Sequence, residues 1–369
     1  MEQPQNEKPT PASGTMRPGL EFGMSYYLPA VPSKLKLAIH SDFERIDPDV
    51  SAWIHPYLLD YFDETVDKSP RTNNYLKLQL HWWGAMTYPH CLPDNFFAIE
   101  AAMAWLTLLD DCFAAPKVQH DEAARTALQK RLLGCLDGSF QPVSLLERMV
   151  AAGQKLLSEG RSTSVHRRFT NELKMTLISC AAEDIEDTSV LKSVDAYLVY
   201  RRVNAFGLCT LTLSELGLGI DLEEHLHDGS DLASARNRTI EHWIMINDLY
   251  SFPKEVESGE KINFVFILMD QHSLSLQEAL DRVAEIAVEI EAKFLTLQER
   301  ILTSPLGRNL GIPEYLADLG HSIVGNFQYH RTANRYHGTT LDVPMANGGT
   351  TTPELKVLYR RGTIHKGLE

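Results

Sequence analysis

No stretch of the 369-residue sequence reaches the eighteen or so uninterrupted apolar residues that a membrane-spanning helix needs. The opening MEQPQNEKPTPASGTMRPG has no apolar segment of the kind an export signal carries. Membrane insertion and export are therefore not expected. Cysteine is scarce: Cys91, Cys112, Cys135, Cys180 and Cys209 are odd in number and scattered, without CxxC or zinc-like spacing. That argues against a disulfide framework or a structural metal and makes the reducing cytoplasm the expected compartment. Positive charge is also short, with 35 Lys+Arg against 49 Asp+Glu and a formal net charge of −14. A nucleic-acid binder needs a basic surface, so no nucleic-acid partner is expected. If the substrate is an anion, its cationic partners must be few and local. Alternating strand-like runs are almost absent, and no internal repeat, long linker or change of composition divides the chain.

What is present is helical periodicity. With 44% hydrophobic residues the chain can bury a large core. Apolar residues recur at spacings of three and four through 72–84, 94–115, 121–135, 142–158, 163–182, 193–216, 236–256, 275–302 and 311–336. Breaks fall at TYPHCLPDN, DDCFAAPK, LDGSFQP, LGLGIDLEEHLHDGSD, VESGEK and TSPLGRNLGIP, all rich in turn residues. The expected architecture is all-α, a single-domain bundle of about ten helices that begins in earnest near Ser51. Residues 1–20, polar and rich in Pro and Gln, read as a disordered arm; 21–337 form the domain; 338–369 read as a loop and surface tail.

Two polar sites interrupt the apolar pattern. In INDLYSFPKE, residues Asn247, Ser251 and Glu255 stand four apart, so on a helix they project from one stripe over roughly 12 Å. An amide oxygen, a hydroxyl and a carboxylate are hard donors suited to Mg²⁺. The same three residues could line a solvated face, but Trp243, Ile244 and Ile246 surround them with bulk that such faces seldom carry. Lys254 adds a cation beside them. The second site is the Asp110–Asp111 pair in AWLTLLDDCFAAPK. It falls at a helix C-terminus, where the macrodipole disfavours anions by some tenths of a kcal/mol, so either a cation compensates or the carboxylates reach water. The acid run EDIEDT (183–188) and the His225/His227 loop are more economically explained as solvated polar segments than as metal sites.

Taken together, these segments resemble the class I terpene synthases of the microbial, single-domain kind. NDLYSFPKE is similar to that family's second metal motif, (N/D)D-x-x-(S/T)-x-x-(K/R)-(E/D), at every specified position. DDCFA resembles the aspartate-rich first motif but carries Ala114 in place of the third acid. Arg201, in YRRVNAFG, lies 46 residues before Asn247, the separation at which the family places its diphosphate-sensing arginine. Asn204 and Ala205 then fall at the linker and effector positions of a helix break. NRYHG resembles the C-terminal Arg-Tyr pair, Arg335 and Tyr336, with Tyr329 six residues before Arg335.

The resemblance implies the class I isoprenoid synthase fold and three Mg²⁺ ions held by Asp110, Asp111, Asn247, Ser251 and Glu255. It implies a prenyl diphosphate met by Arg201, Lys254, Arg335 and Tyr336, and it allows a homodimer. The expected reaction is ionisation of farnesyl diphosphate and cyclisation to a sesquiterpene. A geranylgeranyl substrate, or a catalytically impaired isoprenoid-binding protein, are the alternatives. Trp243, Phe206, Tyr329 and Trp105 are the aromatic candidates for the cavity lining, with Trp105 better placed for core packing. The D-x-D-D motif of protonation-initiated cyclases and the second DDxxD of chain-elongating prenyltransferases are both missing.

Overall fold

The computed structural model describes residues 17–119, 121–181, 191–337 and 349–358. The helices are α1 Phe43–Tyr61, α2 Pro70–Leu76, α3 Trp82–Thr87, α4 Pro93–Ala114, α5 Pro116–Gln119, α6 Glu122–Leu136, α7 Leu145–Ser158 and α8 Thr163–Ala181. They continue with α9 Val194–Asn204, α10 Gly207–Leu218, α11 Asp231–Ser258, α12 Phe264–His272, α13 Leu276–Thr303, α14 Ile312–Thr332 and α15 Asn334–His337. Local chemistry sets several of their ends. Ser144 with Glu147 and Ser275 with Glu278 form capping boxes that open α7 and α13. The Ser230 side chain accepts from the Ala233 N–H at the start of α11, and Gly259, in the left-handed region at φ 74°, ends that helix.

Two apolar cores organise the bundle. One gathers Val50, Ile54 and Leu58 of α1 with Trp105 and Leu109 of α4 and Phe169 and Leu173 of α8. The other gathers α11–α14 through residues such as Ile240, Phe252, Phe266, Phe294 and Phe327. Trp83 of α3 packs against both. Helix α11 lies between α9, α13 and α14 and is buried on most of its circumference from Thr239 to Phe252. All five cysteines are unpaired. Among the described residues, no helix is long and apolar enough to cross a membrane.

The all-α expectation holds, with four local corrections. The first helix starts at Phe43, not near Ser51: Pro48 and Pro56 lie inside α1, yet Ile46, Val50, Ile54 and Leu58 still bury one stripe. The run expected over 193–216 divides at Ala205–Phe206 into α9 and α10. Helix α12 has no counterpart among the expected runs, because FVFILMDQH is apolar on nearly every side and shows no period. At the termini, ordered packing reaches further than the arm and tail allowed. Leu20 is buried and Arg17 pairs with Asp270 while lying over the Phe266 ring. Strand β2 (Glu354–Val357) pairs antiparallel with β1 (Ser25–Leu28), Ser25 opposite Val357. The remainder of the arm, the EDIEDT run and most of the tail lie outside the described residues.

Candidate active site

A cavity of about 360 Å³ opens between α4, the α9–α10 break, α11 and α14. Asn247, Ser251, Lys254 and Glu255 line it from α11, Asp110 from α4, Arg201, Asn204, Ala205 and Phe206 from the break, and Tyr329, Arg335 and Tyr336 from α14 and α15. Trp243 lines its wall and fixes its indole by donating Nε1–H to the Ser322 carbonyl at 3.1 Å. Asp111 is placed elsewhere, and Trp105 packs in a core, as the sequence favoured. The Asp111 carboxylate is engaged by the Arg335 guanidinium at 2.8 and 3.2 Å and accepts from the Tyr75 hydroxyl. Trp105 is fully buried in the other core, edge-to-face with Phe169 at 6.2 Å and pressed on Gly153, where any Cβ would meet the indole.

The α9–α10 break is a strained one. Phe206 sits at φ 57°, ψ 9°, a left-handed conformation that costs a non-glycine residue roughly 1–2 kcal/mol. The next residue must be small, since a Cβ on Gly207 would stand 2.3 Å from Ile240 Cγ2. The break turns the end of α9 towards the cavity, and Arg201 donates to the Asn204 side-chain oxygen at 2.6 Å. The adjacent Arg202 instead reaches Glu241 of α11 at 3.4 Å.

The three α11 oxygens stand differently. The imidazole Nδ1 of His330 faces the Asn326 carbonyl at 2.8 Å. A carbonyl only accepts, so Nδ1 carries the proton, and in the neutral ring Nε2 is the acceptor. The Asn247 amide N–H therefore donates to it, at 3.1 Å, and also points at the Tyr336 hydroxyl at 3.4 Å. Asn247 Oδ1 is left without a hydrogen bond among the described residues. Ser251 Oγ is buried without a partner. Burial, and then the neighbouring Glu260 charge, push the Glu255 carboxyl up to about 8, while Asn263 donates to one of its oxygens at 2.7 Å. An unpaired amide oxygen, a buried hydroxyl without a partner and a buried carboxyl whose charge the nearby Lys254 does not fully compensate are what a site for a hard cation presents. The residues fit Mg²⁺ on that ground. Among the described residues no three His, Cys, Asp or Glu side chains group as a metal site; the donors here are of mixed type.

The flanking electrostatics follow the same logic. Burial, then the Asp111 charge, push Asp110 up. Burial works in the same direction on Asp111, but the Arg335 guanidinium outweighs it and holds that carboxyl below its usual range. Lys254 keeps its charge because Glu260 and Asp111 offset its burial. Asp248, the second residue of the α11 motif, faces away from the cavity: it accepts from the Tyr197 hydroxyl at 2.8 Å and the Phe264 N–H at 3.2 Å, and burial pushes it up to about 6. Sequence reasoning missed Trp83, Phe113, Glu260, Asn326 and His330, all of which line the cavity. Of these, Phe113 lies within DDCFA itself, His330 next to Tyr329, and Glu260 five residues past Glu255.

The profile described as terpene synthase family 2, C-terminal metal binding, matches residues 101–293, just over half of the chain. The chain is 21% identical over 326 residues to microbial terpene synthase-like protein 13 of Selaginella moellendorffii, covering 87% of this chain and 89% of that protein. It is 24% identical over 269 residues to the (+)-T-muurolol synthase of Roseiflexus castenholzii, covering 71% and 82%. The solved structure of hedycaryol synthase with HEPES superposes with a TM-score of 0.68 at 20% identity, over 83% of this chain and 99% of that one, which bears on the fold alone. Relatives bearing these names are lyases. On the family match and the shared class I fold, this chain belongs to terpene synthase family 2.

Proposed function

We propose that the chain ionises farnesyl diphosphate in a Mg²⁺-dependent reaction and cyclises the resulting cation to a sesquiterpene, releasing diphosphate. The observation that carries this reading is the gathering of Asn247, Ser251, Lys254 and Glu255 on one wall of a cavity whose other walls bring in Asp110, Arg201 and Arg335. In a chain of net charge −14, this local set of cations supports an anionic head group bound at the mouth. When bound, Mg²⁺ neutralises diphosphate charge and makes it a better leaving group. Asn247, Ser251 and Glu255 would hold one ion and Asp110 would serve the others, with Asp111 reaching them only by giving up Arg335.

The protein's own part is orientation and protection. Arg201 and Arg335 present planar guanidinium groups that can grip diphosphate oxygens in pairs. The aromatic residues Trp83, Trp243, Phe206 and Tyr329 in the lining keep bulk water out and offer ring faces to a passing cation. A volume of about 360 Å³ lies within the range for ligand pockets and suits a small-molecule substrate. The test is gas chromatography of products from the purified protein with each of the ten-, fifteen- and twenty-carbon diphosphates, with and without Mg²⁺. Turnover without a divalent ion, or preference for the twenty-carbon substrate, would overturn the respective part of this reading.

A further inference from the structure

Asn326 is a polar residue of the cavity wall whose side chain the mechanism leaves unused. It is fully buried, it lines the cavity, and neither its Oδ1 nor its Nδ2 has a hydrogen-bond partner. Leaving such groups unsatisfied is costly. Its place is set by packing. At the preceding residue α14 presses on α3 so closely that a Cβ on Gly325 would stand 1.8 Å from the Met86 carbonyl oxygen, which fixes the depth and rotation of this turn.

The depth of Asn326 follows from the contacts of α14 with α11. Trp243 bonds to Ser322, and Asn247 to His330, so the two helices run in the same direction towards the mouth. Asn326 lies halfway between those two levels, one turn below His330, about 6 Å further from the charged end. Trp83, Trp243, Ile240 and Phe206 line the same cavity, together with polar residues such as Thr107 and Thr210. A primary amide with both donor and acceptor unpaired, facing a cavity, suits a small neutral molecule that donates and accepts at once. Water is that molecule: it binds buried polar groups that find no partner in the protein.

Resting on the cyclase reading above, we propose that Asn326 seats the water that captures the final carbocation, so that the main product is a cyclic terpene alcohol. The water oxygen uses a lone pair to form the C–O bond at the cationic carbon. The resulting oxonium then loses one proton to the released diphosphate, leaving a neutral alcohol with no change in oxidation state beyond hydration. Asn326 Oδ1 accepts one water O–H and so turns the lone pair towards the substrate; Nδ2 limits the water's drift.

The experiment supplies the purified enzyme with Mg²⁺ and farnesyl diphosphate in ¹⁸O-enriched water, and monitors diphosphate release and the products by mass spectrometry. Wild type should give mainly a cyclic alcohol carrying ¹⁸O. Asn326→Leu and Asn326→Val should still release diphosphate within about tenfold of wild type, with the alcohol fraction at least fivefold lower and hydrocarbons in its place. The ratio of products does not depend on how much enzyme is folded, so it can be read even for a destabilised variant. A wild type that makes only hydrocarbon, or variants that keep the wild-type alcohol fraction, would overturn the assignment while leaving the cyclase reading intact. Failure of the wild type to release diphosphate would overturn both.

Discussion

The two acidic motifs of this protein face each other across one cavity, and each opens with a pair of adjacent polar residues: Asp110–Asp111 on α4 and Asn247–Asp248 on α11. Neighbours on a helix point about 100° apart, so only one of each pair can face the cavity. Asp110 and Asn247 line it. Their partners are used by the scaffold: Asp111 grips Arg335, and Asp248 ties α9 to the start of α12 through Tyr197 and Phe264. Beyond these pairs the motifs diverge. Helix α11 repeats its stripe with Ser251 and Glu255, whereas α4 ends in the exposed Ala114, so the α11 wall carries three candidate donors and the α4 wall one. A doubled polar signature thus divides into one residue that lines the cavity and one that serves the frame.

The sharpest way to break this comparison is within the α11 pair. Asn247→Leu should lower Mg²⁺-dependent diphosphate release by about 100-fold or more, the scale of losing one polar stabilising group in a closed site, with little change in melting temperature. Asp248→Ala should do the reverse in stability, costing about 2–3 kcal/mol in a denaturant titration because a buried hydroxyl and a buried N–H lose their acceptor. Equal behaviour of the two variants would refute the division of labour.

The next test separates Arg201 from Arg202. Arg201 lines the cavity and Arg202 reaches Glu241. Lysine keeps the charge but loses the planar fork, so Arg201→Lys should reduce ionisation by roughly tenfold or more and Arg202→Lys by less than about twofold, measured as initial rates of diphosphate release.

On the α4 side, Asp110→Asn should cost more activity than Asp111→Asn, since Asp110 alone faces the cavity, and Ala114→Asp should be tolerated. Equal and small losses in the two Asn variants would mean that the α4 site is organised through Arg335 instead.

The smallest effect lies far from the cavity. A hydrogen bond from Arg131 holds the Glu147 carboxyl down at about 2 against the opposing effect of burial, with help from the Val143 N–H. A depressed carboxyl stabilises the fold above its unfolded pKa, near 4.5, and that contribution disappears as pH falls from there towards 2. Because Arg131 is partly solvated, Glu147→Gln should cost only about 1 kcal/mol at pH 7. The difference from wild type should vanish in acid melts near pH 2.

Several of these features were legible in the sequence because they depend on local spacing. Four-residue steps along α11 necessarily align Asn247, Ser251 and Glu255, and the three-and-four apolar period marks α4, α7 and α13 whatever they pack against. Helix α12 was illegible for the opposite reason: a segment buried all round loses its period. The proline-bearing start of α1 was hidden because Ile46 and Val50 offset the local penalty through contacts that no local rule sees.

What the sequence by itself determined is therefore the all-helical class, the order of the motifs, and the residue types able to hold a hard cation and an anion. Only the tertiary structure decided which member of each adjacent pair faces the cavity, that Trp105 belongs to a core and Trp243 to a cavity, that His330 stands beside Asn247, and that Asn326 lines the same cavity. The physical reason is that helix periodicity relates residues within a turn or two, whereas the rotation of one helix about its axis is set by what it packs against: here the Gly325 contact on α3, the Gly207 contact on Ile240 and the Trp243–Ser322 bond.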